Sequence, residues 1–87
     1  MKNAIWKYTL GPGQNIIEMP IGARAVAVQV QDHQPTLWAL VEPDAPKRER
    51  EFHVVATGEE FDATAWRHIG TFQLRGGALV FHAFEAG

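Results

Sequence analysis

The 87-residue chain contains no cysteine, and a reading of its sequence finds no serine. The first absence excludes a disulfide framework, a cysteine-ligated zinc site and a thiol nucleophile. The second excludes a Ser-His-Asp hydrolase. Charge is not lopsided either: eight basic residues face ten acidic ones, for a net of −2. That balance gives no reason to expect a nucleic-acid-coating or membrane-coating surface. Long hydrophobic runs are also missing. The longest, Leu37 to Val41, is far below the ~20 residues of a spanning helix. Met1-Lys2-Asn3 leads directly into Ala4-Ile5-Trp6-Lys7-Tyr8, so no apolar leader of roughly 7–15 residues follows the start. The expectation is a cytoplasmic protein without a membrane partner.

Leu, Ile, Val and Phe make up about a quarter of the chain, above the range of disordered sequences. The length suits one small domain spanning residues 1–87, because domains typically hold on the order of 100 residues. Apolar runs rich in β-branched and aromatic residues alternate with Gly, Pro, Asp and Asn. In Ala4–Leu10, Trp6, Tyr8 and Leu10 share one face, with Lys7 and Thr9 on the other. Gly11-Pro12-Gly13 breaks the chain before a short run over Asn15–Met19. Ala23–Gln31 places Val26, Val28 and Val30 on one side, with Ala25, Ala27, Gln29 and Gln31 opposite. Asp32-His33-Gln34-Pro35 predicts a hairpin turn.

Thr36–Glu42 is apolar on both faces: Leu37, Ala39 and Val41 alternate with Trp38 and Leu40. Such a strand is central and covered twice, or it leaves a sticky face bare. Pro43–Arg50 reads as an exposed charged loop, and Gly58–Trp66 is the one stretch suited to a helical turn. Strands return over Glu51–Thr57, Arg67–Leu74 and Ala78–Glu85, the last two joined through Arg75-Gly76-Gly77. About seven short strands and almost no helix predict an all-β fold, a small antiparallel jelly-roll-like β-sandwich, with a small open barrel as the alternative.

Chemistry-bearing residues are sparse. His33, His53, His68 and His82 have no metal-ligand spacing, and His53 and His82 meet only if their strands pair. Asp32 beside His33 reads as turn chemistry before it reads as a base with its orienting acid. Glu59, Glu60 and Asp62 form a solvated acidic loop. Lys47-Arg48-Glu49-Arg50 is the densest basic stretch, but acids interrupt it, so nucleic acid is not an expected partner. Of Trp6, Trp38 and Trp66, Trp38 with Leu40 is the candidate interface, since tryptophan anchors contacts. Arg24, Arg67 and Arg75 are candidate anion-binding residues, because a guanidinium beside an aromatic ring suits a small anionic ligand such as a signalling nucleotide. No catalytic residue, metal or cofactor is assigned.

Seven motifs occur in order along nearly the whole chain. They are Ile5-Trp6-Lys7-Tyr8, Glu18-Met19-Pro20 with Gly22-Ala23, Val28-Gln29-Val30-Gln31, Leu37-Trp38-Ala39-Leu40-Val41-Glu42-Pro43, Thr57-Gly58, Ile69-Gly70-Thr71-Phe72-Gln73, and Val80-Phe81-His82-Ala83-Phe84. In this the chain resembles a family of small bacteriophage- and prophage-encoded proteins classed as a domain of unknown function. The resemblance implies a phage setting and a stand-alone domain, and it brings no catalytic residue, cofactor or partner. Together, residues and resemblance predict a non-enzymatic binding module, a homo-oligomer acting on a host protein or on a small anionic ligand. A minor virion or assembly component is the alternative.

Overall fold

The computed structural model describes residues 2–87. Seven strands follow one another: β1 (Ala4–Thr9), β2 (Gly13–Pro20), β3 (Arg24–Gln31), β4 (Gln34–Val41), β5 (Lys47–Ala56), β6 (Trp66–Leu74) and β7 (Leu79–Ala86). They form two antiparallel sheets, one of three strands in the order β1-β4-β3 and one of four in the order β2-β5-β7-β6. The smallest dimension is 15 Å, as two layers about 10 Å apart require. This is the expected sandwich. Among the described residues no helix is long and apolar enough to cross a membrane.

The core lies between the sheets. Leu37, Ala39 and Val41 of β4 enter it from one side, and Phe52 and Val54 of β5, Phe72 of β6 and Ala83 of β7 from the other. Leu10 and Met19 close it where β1 and β2 end. Alternation along each strand produces this sorting, since successive side chains point to opposite faces. Turn chemistry sets the joints. Asp32 and His33 both take positive φ, at 50° and 65°, the geometry of a two-residue hairpin whose twist matches its strands. At Gly11-Pro12-Gly13, the Asn15 side chain accepts from the Gly11 amide at 2.8 Å and donates to the Gly11 carbonyl at 2.9 Å.

Three expectations need correcting. Val26 does not join Val28 and Val30. A β-bulge between Ala25 and Ala27 inserts one unpaired residue, which reverses the alternation; Val26 is left 50% exposed while Ala25 turns toward the core. Pro43–Arg50 is not all loop, because Lys47–Arg50 opens β5 and pairs with Ile17–Pro20. Gly58–Trp66 forms no helix. Asp62 Oδ1 accepts there from the Thr64 amide at 2.9 Å and its hydroxyl at 2.6 Å, a local turn that competes with helix.

Edge strands β3 and β6 approach each other at one side of the sandwich. Each carries a bulge, and Gly70 lies where an added Cβ would stand 3.4 Å from the Val28 Cβ. Glycine is what allows that approach.

Candidate functional site

Pairing decides which side chains meet, and three surfaces result. The first is the outer face of the three-stranded sheet. Its central row is Lys7–Trp38–Ala27, and the row beside it is Ile5–Leu40–Arg24. Trp38 and Leu40 are half-buried, Ile5 is 54% exposed, and exposed Val26 stands at the margin. Among the described residues no strand lies over this face. Lys7 crosses it, with Nζ 5.7 Å from the Trp38 ring centre and donating to Gln31 Oε1 at 2.7 Å. Of the two arrangements open to β4, the strand is central in its sheet, yet only its inward row is covered by the second sheet.

The second surface is the outer face of the four-stranded sheet, and it gathers three of the four histidines. His53 and His68 flank Phe84 across two ladders, and His82 pairs with Val55 and Thr71. His53 Nε2 lies 2.5 Å from Glu51 Oε2, and its ring stacks on Trp66 at 4.1 Å. Phe61 folds over Trp66 and Phe84 from the 57–65 loop, at 5.5 and 5.4 Å. His82 bonds with the Thr57 hydroxyl at 2.7 Å and the Thr71 hydroxyl at 2.9 Å, and Thr71 reaches His68 at 3.1 Å. The His53 bond, followed by one from Gln14, holds the Glu51 carboxyl below the usual carboxylate range. Thr64, through its hydroxyl and then its amide, does the same for Asp62. His53 and His82 thus share a face with a carboxylate at one of them, but neither lines the cleft formed by Arg48, Arg50, Arg67 and Glu85. Among the described residues no group of three or more His, Cys, Asp or Glu side chains is placed to hold a metal ion. His33 is exposed in its hairpin turn.

The third surface is a polar cleft at the end of the sandwich where β5 begins and β7 ends. Arg48 and Arg50 of β5, Arg67 of β6 and Glu85 of β7 line it beside Trp66. Arg50 donates to both Glu85 carboxylate oxygens, from Nε at 2.6 Å and Nη2 at 2.9 Å, and from Nη1 to the Ala23 carbonyl at 2.5 Å. Glu85 Oε1 also accepts from Arg67 at 3.0 Å. Nearby, burial pushes the Tyr8 phenol upward, against the pull of the Arg50 charge. Its hydroxyl finds no hydrogen-bond partner among the described residues.

The structure does not bring the three anion candidates together. Arg67 lines the cleft, Arg24 stands on the outer face of the other sheet beside Leu40, and Arg75 sits in the β6–β7 turn at the opposite end of β6. Arg48 and Arg50, read from the sequence as part of a basic stretch in a charged loop, join Arg67 in the cleft instead, and the sequence carries a signal for it. Basic Arg48 and Arg50 alternate with acidic Glu49 and Glu51, the period of a strand, and they continue the inward row of Phe52 and Val54. Histidine convergence had no such signal, because it depends on strand order.

The family model for a domain of unknown function (DUF7352) matches residues 1–87, and the chain belongs to that family. No curated protein and no solved structure matches it.

Proposed function

We propose that this chain is a non-enzymatic binding module that works as a homo-oligomer, in the cytoplasm of a phage-infected or lysogenic host. The phage setting rests on the motif resemblance set out above. The observation that carries the reading is the bare outer face of the three-stranded sheet, with Trp38 at its centre. Apolar residues there stay at the surface at a cost in solubility that contact with a partner removes. A second copy is the occupant that fits. In a two-fold interface each patch meets itself, so a tryptophan in the central row of the central strand falls near the axis, where energetic anchors concentrate.

Area sets the strength. Strands of 6 to 8 residues at about 3.3 Å per residue and 4.8 Å apart give roughly 300–400 Å² per copy. Stable complexes bury about 800 Å² per partner, so the self-association is weak and concentration-dependent. Of the two modes of action, occlusion of a host protein and sequestration of a small anionic ligand, the charged cleft supports the second.

Light scattering across a concentration series tests the reading. The mass should rise from 9.7 kDa toward twice that value at millimolar protein, and Leu40→Glu should hold it at the monomer. A wild-type monomer throughout would refute the self-association. Retention of the protein in purified virions would favour the structural alternative.

A further inference from the structure

The charged residues of the cleft stand in an unusual place. Arg50 continues the inward row of Phe52, and Glu85 and Arg67 share the Phe52 rung on β7 and β6. All of them therefore belong to the face that builds the core, at the end where the opposite sheet no longer covers it. Burying charge there is unfavourable unless each group has a partner. Arg50 has one: its side chain is 12% exposed and is fixed by Glu85 and the Ala23 carbonyl. Glu85 is then spent, because it serves Arg67 as well. Arg48 pairs with no carboxylate among the described residues. Among the side chains that line the cleft, three guanidiniums thus stand against one carboxylate, in a chain whose net charge is negative.

From this geometry we infer that the cleft binds a phosphate-bearing small molecule, its phosphate held between Arg48 and Arg67 with room beside it for the organic part. A guanidinium presents a planar fork of donors that matches two phosphate oxygens at once. Arg50, anchored by Glu85 and the Ala23 carbonyl, forms a fixed floor that need not reorganise on binding. The cleft holds about 470 Å³, within the roughly 300–1,000 Å³ of small-molecule sites and larger than a phosphate alone fills. The Trp66 ring is turned to the other face of the sheet, where it stacks on His53 and Phe61, so the guanidiniums and not an aromatic face carry the recognition. This inference rests on the anion-sequestering branch of the functional reading and names the chemistry of that anion.

The test is a titration of the whole chain with adenosine monophosphate, inorganic phosphate and adenosine, followed by amide NMR and calorimetry at low and high salt. The two phosphates should bind and adenosine should not, with signals moving around Arg48, Trp66 and Arg67 and affinity falling as salt rises. Arg48→Ala and Arg67→Ala, both at exposed positions, should each weaken binding about 10-fold, and Arg75→Ala should leave it unchanged. The amide spectra of the variants also report whether each remains folded, and Arg48→Glu gives a second, stronger perturbation at the same position. No binding at millimolar phosphate or nucleotide would overturn the inference. So would unchanged binding in the Arg48→Ala/Arg67→Ala double variant, or loss of binding in Arg75→Ala. Phosphorus NMR of the same samples separates the two layers. A new product signal that vanishes in the double variant keeps the site and refutes the non-enzymatic reading, whereas unchanged nucleotide keeps both.

Discussion

Replacing Glu85 with alanine removes the carboxylate side chain that pairs with Arg50 and Arg67 in the cleft. Its side chain is 13% exposed and that of Arg50 12%, so neither charge is well hydrated in the folded chain. Three hydrogen bonds disappear at once, two from Arg50 and one from Arg67. Breaking such a pair costs roughly 3–5 kcal/mol, because the surviving ion stays desolvated and unpaired. The cleft is open to water on one side, which places this pair near about 3 kcal/mol. Arg67, at 69% exposure, contributes far less, and Arg67→Ala should cost under about 1 kcal/mol. A domain of this length is stable by about 4–13 kcal/mol, so Glu85→Ala should remove a large share while Arg67→Ala is barely felt. With a slope of roughly 2 kcal/mol/M in guanidinium chloride, the Glu85→Ala midpoint should fall by about 1.5 M at unchanged slope. Replacing both ions, Arg50→Met with Glu85→Leu, should restore stability to within about 1 kcal/mol of the parent. Fluorescence-monitored denaturation of the four proteins decides the matter. A Glu85→Ala loss below about 1 kcal/mol, or one equal to that of Arg67→Ala, would refute the account of a desolvated, fixed arginine.

Other perturbations probe the frame around the sites. Asp32→Asn with His33→Gly supplies residues suited to the positive φ of that hairpin, and should raise stability by about 1 kcal/mol; a lower melting temperature would contradict the turn geometry. Gly70→Val places branched methyls against Val28 where the sheets close, and should cost about 1–3 kcal/mol in the same denaturation assay. Glu51 has a folded-state pKa depressed below its ordinary 4.5, so its contribution is complete above that value and is lost as pH falls through the folded pKa. Melting temperatures measured from neutral pH down to strongly acidic pH should therefore fall less steeply for Glu51→Gln than for the parent below about pH 4.5. Parallel curves would show that the His53 bond does not act.

Much of the architecture was legible because alternation is a local property. The burial of Leu37, Ala39 and Val41 against the half-exposure of Trp38 and Leu40 follows from parity along one strand. Val26 was misplaced because a bulge adds a residue that no local pattern announces. Lys47–Arg50 reads as loop because high charge suggests solvent, although the alternation of Arg48 and Arg50 with Glu49 and Glu51 carries strand periodicity. The sites were the least legible part. His53, His68 and His82 lie on three strands, and Arg50, Arg67 and Glu85 on the same three; only the order β5-β7-β6 brings either group together.

The central claim is that the Trp38 face is bare in the protomer and covered in the working assembly. Amide NMR spectra recorded from millimolar to micromolar protein test it most directly. The account predicts dilution shifts confined to Ile5, Val26, Trp38, Leu40 and their sheet neighbours, and their loss in Leu40→Glu. Spectra that do not change with concentration, or shifts centred on the histidine-bearing sheet instead, would contradict it.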